Sequence, residues 1–187
     1  MAERTSHRLV VILHADVVGS TALVQNDERI AHQRIQDSFR RFSETIKAYG
    51  GVTHELRGDA LVAEFDRASD AVCSGIAFQA NNSQVNVTLD DDIRPELRIG
   101  ISMGEVVIAD NTITGEGVVL AQRVEQLADP GGLCITSAVR EALPKRMPFD
   151  LENLGEQVLK GFEDSIRVYR VELRPDKSIP LPQEVYQ

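Results

Sequence analysis

A chain of 187 residues, 42% of them apolar, is long enough to bury one proper core and too ordinary in composition for a disordered or membrane-embedded protein. Its net charge of −9 excludes a nucleic-acid groove, which needs basic surface to neutralise phosphates. Composition divides it into one domain over residues 1–173 and a proline-rich tail or linker over 174–187, with the chain read as a catalytic or sensory piece of something longer.

Residues 8–15 (RLVVILHA) are β-branched and continuously apolar, as a buried central strand requires. His14 and Asp16 cut the run short, so it neither spans a bilayer nor has the layout of a signal peptide. After DVVGSTALVQ, Asn26 is placed to cap a helix whose first turn carries Asp27 and Glu28. Ile35, Phe39, Phe42 and Ile46 then fall on one helical face, and Gly50-Gly51 ends the helix. Val52–Arg57 and Ala60–Phe65 read as strands joined by a Gly58-Asp59 turn. Asp66 is placed to cap a second helix, with Val72, Ile76 and Ala80 on its buried stripe. DDDIRP is a polar loop, and ELRIGISMGEVVIAD predicts two strands broken at Gly104. A short helix near 116–128, a turn at 129–132, a strand LCIT and a last strand IRVYRVEL complete the order. Cys73 and Cys134 lie in apolar surroundings without metal-ligand spacing, as reduced core residues of a cytoplasmic protein would.

Strand, helix, strand, strand, helix, strand is a split unit, with helices on one face of an antiparallel sheet. The fold class is therefore α+β: a ferredoxin-like βαββαβ core with extra C-terminal strands and helices. In that topology the first strand pairs with the one after Asp59, which brings Asp16 and Asp59 to one edge. Two adjacent carboxylates repel unless a cation lies between them, and Mg²⁺ or Mn²⁺ suits oxygen ligands shared with phosphates. A pair of such ions about 3.5–4 Å apart promotes phosphoryl chemistry. Gly19, Ser20 and Thr21 follow Asp16 closely, and their N–H groups are placed to cradle a triphosphate. The plainer reading of Asp16 alone is a strand-end turn residue. His14 shares its strand face and reads as a packed histidine rather than a ligand.

At these residues the chain resembles the catalytic domain of the class III adenylate/guanylate cyclases, over residues 8–172. The resemblance is carried by ILHADVVGSTALV, RGDALVAEF, LRIGISMGEVV, GEGVVLAQRVEQLADPGGLCIT and LGEQVLKGF…IRVYRV. It implies the nucleotide cyclase fold, ATP or GTP as substrate, two divalent cations, and a head-to-tail homodimer with composite sites. Net charge and the short apolar run, for their part, predict no nucleic-acid partner and no membrane insertion. By position, Asp16 and Asp59 fall on the metal aspartates and the Val17 carbonyl on a backbone metal ligand. Gly19, Ser20 and Thr21 fall on the phosphate turn, although the family more often has a hydrophobic residue at Ser20. Arg123 falls on the arginine that steadies the α-phosphate, and Lys160 on a lysine for the terminal phosphates. Glu55 stands where guanylate cyclases have glutamate, and a carboxylate accepts from the guanine N1–H and NH₂. Thr112, at the second base-reading position, suits either purine. Val119 replaces an asparagine that orients the ribose, a loss on the order of 10²-fold in rate. That departure motivates a rival reading, a dimerising, nucleotide-binding module without turnover. A polymerase-palm domain would need a different acidic turn or a basic template channel. A plain interaction domain leaves Asp16, Asp59 and Arg123 together unexplained.

Overall fold

Six consecutive buried residues, Val10–Ala15, put β1 (Thr5–Val17) in the middle of the sheet. The computed structural model describes residues 5–54, 60–110 and 112–182. After β1 come α1 (Ser20–Asn26), α2 (Glu28–Ala48), β2 (Val52–Thr53), β3 (Ala60–Phe65), α3 (Ala68–Val87) and β4 (Leu97–Ala109). They are followed by β5 (Thr112–Thr114), α4 (Glu116–Glu125), β6 (Leu133–Thr136), α5 (Ser137–Ala142), β7 (Phe149–Gln157) and β8 (Ile166–Leu173). The sheet order is β2-β3-β1-β4-β6-β8-β7, with β5 folded back on β4. β1 lies antiparallel between β3 and β4, Val11 facing Phe65 on one side and Met103 on the other.

Alternation along β1 sends its side chains to two different cores. Val11, Leu13 and Ala15 pack with Ile35, Phe39, Phe42 and Ile46 of α2 and with Val72 and Phe78 of α3. The Phe42 and Phe78 rings sit 4.1 Å apart between centroids, locking α2 to α3. Val10 and Ile12 point the other way, into a core with Val106 of β4 and Ala121 of α4. Helices therefore cover both faces, not one. The sheet is also mixed rather than wholly antiparallel: β4 pairs parallel with β6, because α4 carries the chain back across the sheet between them.

Several local expectations shift for identifiable reasons. The cap of α2 is Asp27, whose carboxylate accepts from the Ile30 N–H, while Asn26 ends the separate helix α1. α3 starts after Arg67, with no side-chain cap bond from it and no cap at Asp66. Val72 and Ile76 face the core as expected, but Ala80 is exposed, and the buried side also takes in Ala71, Gly75, Phe78 and Asn82. β4 passes unbroken through Gly104, which marks a close approach to Gly117 of α4 rather than a turn. α5 is one short segment capped by Thr136, and β7 is an edge strand that turns Phe149 and Leu151 to the core and Asp150 and Glu152 to solvent. Beyond β8, Ile179 packs on the main core, and the Tyr49 hydroxyl donates to the Pro180 carbonyl at 2.7 Å. No described helix is long and apolar enough to cross a membrane.

Candidate active site

The residues singled out from the sequence fall into two groups. The first gathers at the end of β1. His14 and Asp16 share the α4-facing side of the strand, and Asp16 stands between Ala60 of β3 and Arg98 of β4. The Asp16 side chain is 29% exposed, and its Oδ1 is buried without a hydrogen-bond partner among the described residues, 3.6 Å from Arg98 Nε. Glu55 and Asp59 lie outside the described residues; Ala60, which follows Asp59 in the chain, is opposite Asp16. Val17 is buried and pairs with Leu97, and the Val18 N–H donates to the Glu96 carbonyl at 2.8 Å. The chain then turns through Gly19, whose φ of +61° is the left-handed region that favours glycine. A side chain there would meet nothing within 4 Å, so the glycine serves the turn rather than a tight contact. Ser20 begins α1 and Thr21 is exposed.

The second group lies along α4. Gly117, Ala121, Val124 and Glu125 form its buried stripe, and Val119 and Arg123 lie off it. Val119 is 39% exposed, an apolar side chain left on the surface. Arg123 Nε donates to the Lys160 backbone carbonyl at 3.3 Å, which brings those two residues together, with the Lys160 side chain exposed. Asp16 and Arg123 share neither a hydrogen bond nor an ion pair among the described residues. Thr112, in β5, donates its hydroxyl to the Ala109 carbonyl at 2.8 Å.

Between the groups runs a buried charge network that the sequence reading missed. Glu125 side-chain exposure is 0%; its Oε1 lies 3.2 Å from His14 Nδ1 and its Oε2 3.6 Å from Arg98 Nη2. Burial raises the Glu125 pKa, a shift opposed by the hydrogen bond from His14 and reinforced by the nearby Asp16 charge. α4 can lie this close because Gly100 faces it: a methyl there would meet the Glu125 nitrogen at 2.2 Å and the Ala121 carbonyl at 2.4 Å. The spacing 117, 121, 124, 125 was legible as one helical stripe, and it puts Glu125 on the sheet side. Its partner Arg98 is the charged member of LRIGIS, pointing away from Leu97 and Ile99.

Among the described residues no three His, Cys, Asp or Glu side chains form a metal cage, and Asp59 is not in that set. A cleft of about 560 Å³ opens beside the first half of α4, lined by Met103, Glu105, Gly117, Leu120, Phe162 and neighbouring residues. None of the candidate residues lines it.

A sequence profile of the "Adenylate and Guanylate cyclase catalytic domain" family matches residues 2–172. The chain is 30% identical over 168 residues to a protein of Rhizobium meliloti described as "Putative adenylate cyclase 3". The match covers 89% of this chain but only 29% of that relative's length. The crystal structure of an adenylate/guanylate cyclase/hydrolase from Silicibacter pomeroyi superposes with a TM-score of 0.81 at 31% identity, covering 92% of this chain and all of that one. The adenylyl cyclase CyaB of P. aeruginosa shares the fold, with a TM-score of 0.78 at 21% identity over 94% of this chain and 100% of its own.

Proposed function

The chain belongs to the adenylate and guanylate cyclase catalytic domain family, and from that premise we propose that it is a nucleotidyl cyclase acting in signal transduction. It converts a purine nucleoside triphosphate into the 3′,5′-cyclic monophosphate and pyrophosphate. The 3′ oxygen forms a bond to the α-phosphorus, and the bond from that phosphorus to the bridging β-phosphate oxygen breaks. Pyrophosphate leaves with the electron pair, and the hydroxyl proton passes to water or a phosphate oxygen.

The observation that carries this reading is the orphaned Oδ1 of Asp16, a buried anionic oxygen with no hydrogen-bond donor, at the end of a rigid central strand. Such an atom fits a cation site, since an unsatisfied buried carboxylate oxygen is costly. Asp16, the Val17 carbonyl and Asp59 would hold two ions, Mg²⁺ or Mn²⁺. When bound, such ions polarise the attacking hydroxyl and offset the charge of the triphosphate. The turn at Gly19, Ser20 and Thr21 orients the phosphates. Arg123 stabilises charge on the α-phosphate, and Lys160 holds the terminal phosphates. The lack of any direct link between Asp16 and Arg123 suits a composite site, in which Arg123 and Lys160 reach across a head-to-tail homodimer.

The two base-reading positions lean in opposite directions. Glu55 accepts from guanine, whereas the Thr112 hydroxyl, already donating to Ala109, is left to accept, as adenine N6–H would require. Val119 supports a second reading, a nucleotide-binding regulatory module without turnover. Its exposed apolar side chain supplies no hydrogen bond to a ribose.

Incubation of purified chain with ATP and, separately, GTP, each with Mn²⁺ and with Mg²⁺, distinguishes the two by product analysis. Cyclic nucleotide and pyrophosphate are expected, and Asp16→Ala or Asp59→Ala lowers the rate by about 10²–10³-fold or more. A variant with full turnover overturns the metal assignment; bound nucleotide without product favours the regulatory module.

A further inference from the structure

Arg98 and Glu125 take no part in the reaction above, yet they sit directly behind Asp16. The Arg98 guanidinium hangs between two carboxylates, Nε 3.6 Å from Asp16 Oδ1 and Nη2 3.6 Å from Glu125 Oε2. Both distances are too long for a hydrogen bond, and Asp16 Oδ1, Arg98 Nε and Glu125 Oε2 are all buried without a hydrogen-bond partner. A guanidinium beside a carboxylate ordinarily closes into a short, bidentate pair. Here it does not close onto either acid.

We propose that Glu125 is a positioning residue that draws the Arg98 guanidinium away from Asp16 and so keeps the Asp16 carboxylate open for a divalent cation. This rests on Asp16 being a metal ligand. Arg98 is held toward α4 at two points, by the Glu125 charge and by the Gln126 carbonyl, which accepts from Nη1 at 3.5 Å. Toward β1 it is held at one point, Asp16. Glu125 cannot follow the guanidinium, because His14 engages its other oxygen at 3.2 Å and the α4 backbone sits against Gly100. With the Glu125 charge removed, Asp16 is the remaining anion paired with Arg98 among the described residues. The guanidinium then closes on Oδ1 and fills the lone pair that a metal needs.

The experiment measures Mn²⁺ binding to the nucleotide-free chain, titrating the metal alone and following the free-ion electron paramagnetic resonance signal. Asp16→Asn is expected to lose the site. Glu125→Gln weakens binding about tenfold, the size expected when contacting charges are uncoupled. Arg98→Gln has the opposite sign and tightens binding several-fold, since it removes a competing cation. In the double variant the Glu125 effect disappears, and affinity returns to that of Arg98→Gln. A purely structural Glu125 would weaken binding in both backgrounds, and that result overturns the proposal, as does unchanged binding in Glu125→Gln. If Glu125→Gln fails to fold by circular dichroism, Arg98→Gln decides alone: tighter binding supports the proposal and weaker binding overturns it. Unchanged binding in Asp16→Asn sinks the metal-ligand reading itself, a failure distinct from loss in Asp16→Asn with no effect of Glu125→Gln.

Discussion

Toward α2 and α3 the central strands present Val11, Leu13, Ala15, Ile99 and Ile101, all closely packed. Toward α4 the same strands present Ile12, His14, Asp16, Arg98 and Ser102, a mixture of apolar, charged and hydroxyl groups. One residue of register separates the two sets, so a single strand serves both a hydrocarbon core and a polar site. The first face is almost wholly hydrocarbon along these strands, and it supplies rigidity. The second leaves Asp16 Oδ1, Arg98 Nε and Glu125 Oε2 unsatisfied, and that cost is borne where a ligand can offset it. The candidate site residues on the second face gain precision from this arrangement because their backbone is held from behind by an apolar layer.

The strongest way to break the contrast is to damage the apolar side alone. Phe42→Ala removes a fully buried ring stacked near Phe78, and a loss of about 3–5 kcal/mol is expected in urea denaturation. Cyclase activity per folded molecule, measured well below the transition, should be unchanged; a loss of activity in the folded fraction would show that the faces are not independent. Gly100→Ala attacks the other side. Its methyl meets α4 backbone, so the helix must move, at about 1–3 kcal/mol by the same denaturation measurement. Here activity should fall more than stability does, because Arg123 and Glu125 ride on that helix. The smallest effect compares two thiols, one on each side. Burial pushes Cys73, in the α2/α3 core, up to about 12 and Cys134, in the α4-side core, up to about 11. Both should resist iodoacetamide at pH 8 and react on unfolding, with Cys73 slower than Cys134 by about tenfold in thiolate terms. Equal rates in the native state would point to shared opening of both cores.

The same contrast explains what could be read from the sequence. β1, the buried face of α2, β6 and β8 are regular apolar patterns, and local periodicity reports them directly. Asp16 and His14 were legible as one strand face. Glu125 and Arg98 were not, because a buried charge is intelligible only through its partners, and those lie on β1, β4 and α4, far apart in sequence. Asp27 displaced Asn26 as the cap because α1 extends through Asn26 and leaves the next residue to turn the chain. β7 escaped notice because its alternation, Phe149-Asp150-Leu151-Glu152, is short and breaks at the irregularity between Asn153 and Glu156.

The position of β1 also bears on synthesis. Val11 needs Phe65 on one flank and Met103 on the other, and both follow much later in the chain. Until β3 has been made the VVILHA segment is an unpaired apolar ribbon, and it keeps one open flank until β4 follows. It is the stretch most exposed to misassembly if translation stalls before β4.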